Sequence, residues 1–170
     1  MKTLSAVLKF IDNLSIYLGK AFGFLVIPII VLQCIEVVLR YVLNAPTVWI
    51  WELCVYLYGV MFVVGGAWVA QEGLHVRTDV LVQKMTKRQL AIIDSFLYPL
   101  LAFVFMGVMT KAQILAAVKS IVMQEVSFNA WAPPLYHFKT IIALGFVLIL
   151  LQLIAHWIRS LFLAIKGVEI

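Results

Sequence analysis

Three consecutive pieces decide the fold: RYVLNAPTVWIWE at residues 40–52, LCVYLYGVMFVVGGAWVA at 53–70, and QEGLHVRTDVL at 71–81. The middle piece carries no acidic or basic side chain, whereas Arg40, Glu52, Glu72, Arg77 and Asp79 crowd its flanks. A helix that crosses a bilayer needs about 17–25 mostly apolar residues, and residues 53–70 meet the short end of that range. Asn44-Ala45-Pro46-Thr47 is a turn signal. Trp49 and Trp51 follow it, where indole rings favour the headgroup level. The pattern is an outer turn, a crossing and a polar exit.

Composition extends this reading to the whole chain. Of 170 residues, 65% are hydrophobic and 12% charged, against about 45–50% and 25% in soluble domains. Lipid must therefore cover much of the surface. The formal net charge of +5 then speaks for membrane orientation and anionic headgroups, with membrane lipids as partners and no nucleic acid. Cys34 and Cys54 lie in or beside apolar runs with no metal-ligand spacing, and both are expected to be buried as small hydrophobes.

The expected fold is an all-α integral membrane protein, one four-helix domain preceded by an amphipathic helix. Leu4, Val7, Leu8, Ile11, Leu14 and Leu18 recur at helical spacing over residues 1–20, which predicts a helix on the inner membrane surface. Asp12 and Lys20 interrupt any short apolar core there, so a cleaved leader is not expected. The first crossing is placed at 21–43, with Pro28 a possible kink, and the second at 52–71. Thr86 and Gln89 have the form of a capping box that opens a third helix over 87–123. At about 1.5 Å per residue that helix exceeds a bilayer core, so it must tilt, project or break. Lys111 and Lys119 are expected near its outer end. Pro133-Pro134 ends any helix before the fourth crossing, at 139–163.

Of the basic residues, Lys2, Lys9, Lys20, Arg77, Lys84, Lys87, Arg88, Arg159 and Lys166 fall on one side, and Arg40, Lys111, Lys119 and Lys139 on the other. The excess places both termini in the cytoplasm.

Several residues stand out from this apolar background. Gly59, Gly66, Ala70 and Gly73 lie on one helical seam, the arrangement that lets two helix backbones approach. Glu36 is an acid inside the first crossing. Arg40, four residues on, is its expected partner, with Lys111 or a basic group on another subunit as the alternatives. Asp79 is an N-cap candidate for a short helix, with Arg77 holding an acid or a lipid phosphate. His75, His137 and His156 are scattered, and neither a nucleophile constellation nor a phosphate loop is present. No enzyme activity and no cofactor are expected.

These residues resemble a known family. Arg40-Tyr41 with Asn44 and Pro46, then Trp49 and Glu52, then Gly66-Ala67, and then Gly73 with His75 and Asp79 are similar to the small membrane (Q-type) subunit of tripartite ATP-independent periplasmic (TRAP) transporters. Glu125, Trp131, Pro133-Pro134 and Lys139 extend the likeness. The run GGAWVAQEGLHVRTDVL resembles the branch associated with mannitol, chloroaromatic or 2-oxo acid uptake. Many relatives carry two acids after the tryptophan, where this chain has Trp51-Glu52. The resemblance implies a bacterial inner-membrane complex for ion-coupled organic acid uptake. Its partners would be a large TRAP membrane subunit that holds the transport sites and a periplasmic substrate-binding protein. This chain would be the non-catalytic scaffold and help dock the periplasmic protein. The readings set against it are a membrane anchor subunit of a redox enzyme and a small autonomous channel or carrier.

Overall fold

A computed structural model of the chain describes residues 2–72 and 103–166, together with positions 86, 89 and 96. The described residues are helical apart from turns and one isolated bridge between Val126 and Pro134. Five helices are named here: α1 (Lys2–Gly23), α2 (Val26–Tyr41), α3 (Trp49–Gln71), α4 (Val104–Val122) and α5 (Leu135–Lys166). Among the described residues, four segments are long and apolar enough to cross a membrane: Ser5–Tyr41, Trp49–Gln71, Val104–Val122 and Leu135–Ile165.

The first of these segments includes both α1 and α2, and Pro28 accounts for the break between them. Proline lacks the N–H that would bond the Phe24 carbonyl, and its ring crowds that carbonyl. Ile27 N–H takes the Phe24 oxygen instead at 3.1 Å, and Leu25 N–H takes that of Phe22. The chain therefore turns at Phe24-Leu25 and resumes as α2.

α3 and α5 run side by side in the same direction and form the centre. Gly59 faces Phe138 and Ile142, Gly145 faces Val63, and Gly66 faces Ile149. The two isoleucines, seven residues apart, thus sit over glycines also seven apart, the repeat that keeps two helices in register. Val60, Val64 and Ile142 form the buried cluster, closed by Leu18 and Phe22 of α1. α1 runs antiparallel to both central helices, with Gly19 pressed on Trp68. The amphipathic helix expected at the inner surface therefore has one side taken up by protein, while Phe10 and Tyr17 are exposed.

Among the described residues, α2 makes substantial contact only with α3, and α4 only with α5. The described helices thus form an open row, α2, α3, α5 and α4, with α1 laid against both α3 and α5. This corrects one expectation. Cys54 is buried between helices, but Cys34 is exposed, because α2 has protein on only one side.

Position 86 shows the capping geometry read from the sequence. Gln89 N–H donates to the Thr86 hydroxyl at 3.4 Å, and Thr86 N–H donates to Gln89 Oε1 at 3.0 Å. Gly73, His75, Arg77, Asp79 and Lys84 lie outside the described residues.

Candidate functional site: a polar fastening at one end of the helix row

The C-terminus of α2 brings the first acid to its partners. Asn44 takes a left-handed conformation, φ 49°, which asparagine tolerates better than most residues. Ala45 N–H reaches back to the Leu39 carbonyl at 2.9 Å. Pro46 follows and stops further helix. The turn swings Thr47 under α2, where its backbone N–H at 3.3 Å and its hydroxyl both donate to Glu36 Oε2. Arg40, one helical turn on from Glu36, donates from Nε at 3.0 Å and from Nη2 to Oε1. Glu36 is buried, whereas Arg40 is half exposed. An open groove of about 510 Å³ beside the pair is bordered by Gln33, Tyr41 and Trp51.

The second acid, Glu52, sits in the first turn of α3 and is 5% exposed. Tyr56, at i+4, donates its hydroxyl to Oε1 at 2.7 Å. The Ser127 and Asn129 side chains lie beside the carboxylate, but Oε2 has no hydrogen-bond partner among the described residues. Tyr56 also stacks on Phe138 of α5, with centroids 4.7 Å apart.

The third acid, Glu125, belongs to the link between α4 and α5. That link folds on itself: Leu135 N–H bonds the Glu125 carbonyl and Ser127 N–H the Pro133 carbonyl, each at 2.9 Å. Gln124 and Ala132 take positive φ at its two bends. Lys139 of α5 donates to Glu125 Oε2 at 2.5 Å. Trp131, on the same link, faces Trp49 of α3 at 6.4 Å.

The Lys139 hydrogen bond holds the Glu125 carboxyl below its ordinary value of 4.5, with the nearby Ser120 hydroxyl and Lys119 charge adding to it against the cost of burial. A lowered folded-state value stabilises the protein above the ordinary value and stops doing so as pH falls through the lowered one. Acidifying the side of the membrane that carries this link should therefore loosen it. The acid sensitivity of thermal melting in detergent should shrink in Glu125→Gln, and an unchanged pH profile in that variant would assign the sensitivity to other groups.

The structure thus brings Glu36, Arg40, Asn44, Pro46, Trp49, Glu52, Trp131 and Lys139 to one end of the row. Gly59 and Gly66 lie lower, on the α5 side of α3, and Ala70 is buried near the far end. Lys111 does not join the cluster. It is exposed on α4, and Glu36 is answered by Arg40 and Thr47 instead. Its expected place near the outer end of the helix is also corrected. The Thr110 hydroxyl donates to the Phe146 carbonyl at 3.5 Å, and this contact sets Lys111 beside the middle of α5.

The opposite end carries a second fastening that the sequence reading missed. Arg159 holds Asp12 through both oxygens, Gln152 Nε2 donates to Asp12 at 2.8 Å, and Ser15 donates to Gln152 Oε1 at 3.2 Å. Lys20 lies over the Trp68 ring at 5.9 Å. No single-sequence signal joins residues so far apart in the chain. Thr47 and Tyr56 were also missed, although Tyr56 stands at the helical i+4 spacing from Glu52.

Chemically, these clusters hold helices together. Each ion pair links two segments or closes one turn, and no nucleophile stands beside a base among the described residues. A family model described as "Tripartite ATP-independent periplasmic transporters, DctQ component" matches residues 29–163. No curated protein and no solved structure matches the chain. The matched span includes the turn at Asn44, the central α3 and α5 and the link that carries Glu125, so the chain belongs to the DctQ family of tripartite transporter components.

Proposed function

We propose that this chain is the non-catalytic small permease subunit of a secondary, ion-coupled transporter for organic acid uptake, and that it serves as a membrane scaffold for the large subunit. The observation that carries the scaffold reading is the open row of helices. Its charged side chains are mostly tied off at the two ends. Its flanking helices expose long apolar faces, such as Ile27, Ile30 and Val31 on α2 and Val104, Val108 and Leu115 on α4. Such a shape has surface to offer a partner, and the described residues enclose no polar chamber.

The large subunit would hold the substrate and ion sites, and a periplasmic binding protein would deliver the acid to the outer end of the complex. The run at residues 65–81 favours the mannitol, chloroaromatic or 2-oxo acid branch. The anchor of a redox enzyme is not favoured. His137 and His156 are about 28 Å apart along α5 at 1.5 Å per residue, too far to hold one haem between them.

The test is reconstitution. Liposomes holding both membrane subunits and supplied with the periplasmic protein should take up an organic acid under an ion gradient, and liposomes with this chain alone should not. Uptake by the chain alone would overturn the scaffold reading. Both termini are assigned to the cytoplasm from the basic-residue asymmetry. An impermeant thiol reagent applied from outside should label cysteines placed at Pro46 or Pro133 and spare one at Lys84. Rapid labelling at Lys84 would reverse the orientation.

A further inference from the structure

Among the described residues, Lys111 is a charge that neither end of the helix row takes up. α4 runs antiparallel along α5, with Thr110 bonded to the Phe146 carbonyl and Phe103 meeting Trp157 edge-on at 5.4 Å. The polar ends of the row are marked on α5 by Lys139, paired with Glu125, and by Arg159, paired with Asp12. At 1.5 Å per residue these two levels are about 30 Å apart, the thickness of a hydrocarbon core. Ile149 lies midway between them. Phe146 is about 4–5 Å from that level, so Lys111, next to Thr110, lies within about 6 Å of the middle of the crossing.

Lys111 is exposed. Among the described residues, the ion pairs join Arg40 to Glu36, Lys139 to Glu125 and Arg159 to Asp12, and none includes Lys111. A lysine at such depth faces protein or water, or bends its stem to the nearer interface. Here the bend is disfavoured. α4 runs toward the Lys139 end, and Cα–Cβ bonds tilt toward a helix's N-terminus, so the stem of Lys111 starts away from the nearer polar level. One turn below on the same side stands Gly107. A Cβ built there would find nothing within 4 Å, so no neighbour among the described residues requires glycine. A glycine with open space beside it lets a second backbone approach closely.

We propose that Lys111 is a docking point for the large membrane subunit, which presents an oxygen acceptor, a carboxylate or a helix-end carbonyl, to its ammonium near mid-bilayer, with its backbone passing close to Gly107. The proposal rests on the transporter-subunit reading. It assigns the α4 face with Val104, Val108 and Leu115 to the subunit interface rather than to lipid.

The test is co-purification in mild detergent of this chain with an affinity-tagged cognate large subunit. The wild-type chain is expected to come down with its partner. Lys111→Met is expected to lower the recovered ratio by about tenfold or more, as loss of a desolvated charge contact would, and Lys111→Arg to keep most of it. The Met variant should reach the membrane in wild-type amount, because no group among the described residues holds the ammonium. A photo-crosslinking residue at Leu115 should capture the large subunit.

Lys111→Met co-purifying at the wild-type ratio overturns the proposal, as do crosslinks that reach only lipid or a second copy of this chain. A Met variant that fails to accumulate also overturns it, since the ammonium would then serve this chain's own fold. Each of these outcomes leaves the subunit reading standing if the wild-type pair co-purifies. Failure of the wild-type pair to associate removes that reading and the proposal with it.

Discussion

Gly19→Leu and Gly145→Leu are expected to abolish recovery of a monodisperse folded chain, and the alanine variants to lower its stability by about 1–3 kcal/mol, the usual cost of forcing extra volume into a packed core. The two sites fail for different reasons. A Cβ on Gly19 would sit 2.5 Å from Trp68 Cβ. That atom is fixed to the backbone, so α1 and α3 must move apart and the Leu18 and Phe22 contacts with the core must loosen. A Cβ on Gly145 would sit 2.7 Å from Val63 Cγ1. A valine on a helix has one strongly preferred rotamer, so Val63 cannot swing aside cheaply.

Gly66 is more forgiving toward a small addition. Its Cβ would meet the flexible end of Ile149 at 3.3 Å, so Gly66→Ala should be tolerated while Gly66→Leu disrupts folding or assembly. Gly65 has open space, so Gly65→Ala should be neutral or gain up to about 1 kcal/mol from helix propensity. Thermal melting and size-exclusion profiles of the set decide the matter. A Gly19→Ala protein that melts with the wild type would show that α1 does not pack on α3 as described.

The glycines show what a sequence can and cannot disclose. Gly59 and Gly66 were legible as a contact seam because they recur at helical spacing inside one apolar run. Gly19 and Gly145 stand alone in theirs, and only the neighbouring helix reveals that each is pressed by a larger side chain. The crossings were legible because charges and prolines bracket long apolar runs. The break at Phe24-Leu25 was half legible: Pro28 announced a disturbance but not that one long segment would become two helices.

Local ion pairs could be read, and distant ones could not. Glu36 and Arg40 are one turn apart on a single helix, so their spacing alone suggested the pair. Asp12 meets Arg159 across almost the whole chain, which periodicity cannot show. Lys111 was misplaced because its depth was read along one straight helix over 87–123. In the structure the Thr110–Phe146 contact sets that depth, and such a register is a property of two helices together.

Glu36→Gln is the substitution that separates a structural acid from a transporting one, and it should weaken assembly with the large subunit severalfold while leaving ion coupling intact in the complexes that form. The reason lies in the donors around the carboxylate. Arg40 gives two N–H bonds to Oε1, and Thr47 gives its backbone N–H and hydroxyl to Oε2. A carboxylate can accept all four, whereas a glutamine amide can accept on its oxygen alone. Its nitrogen would face either the guanidinium or Thr47, donor against donor. If it faces Thr47, the turn through Asn44 and Pro46 is released, and with it the seat of Trp49 against Trp131. If it faces Arg40, an uncompensated cation is left at the edge of the groove. Either way the C-terminal end of α2 loses its fixed path beside α3.

A double variant, Glu36→Gln with Arg40→Gln, should cost less than the sum of the two single changes, as residues that act on each other do. Ion coupling should persist because Glu36 already spends its oxygens on this chain's own donors. Uptake per assembled complex, measured with and without the driving ion gradient, is the deciding quantity. A Glu36→Gln complex that assembles in wild-type yield but no longer responds to the gradient would make Glu36 part of the transport path and would end the structural account.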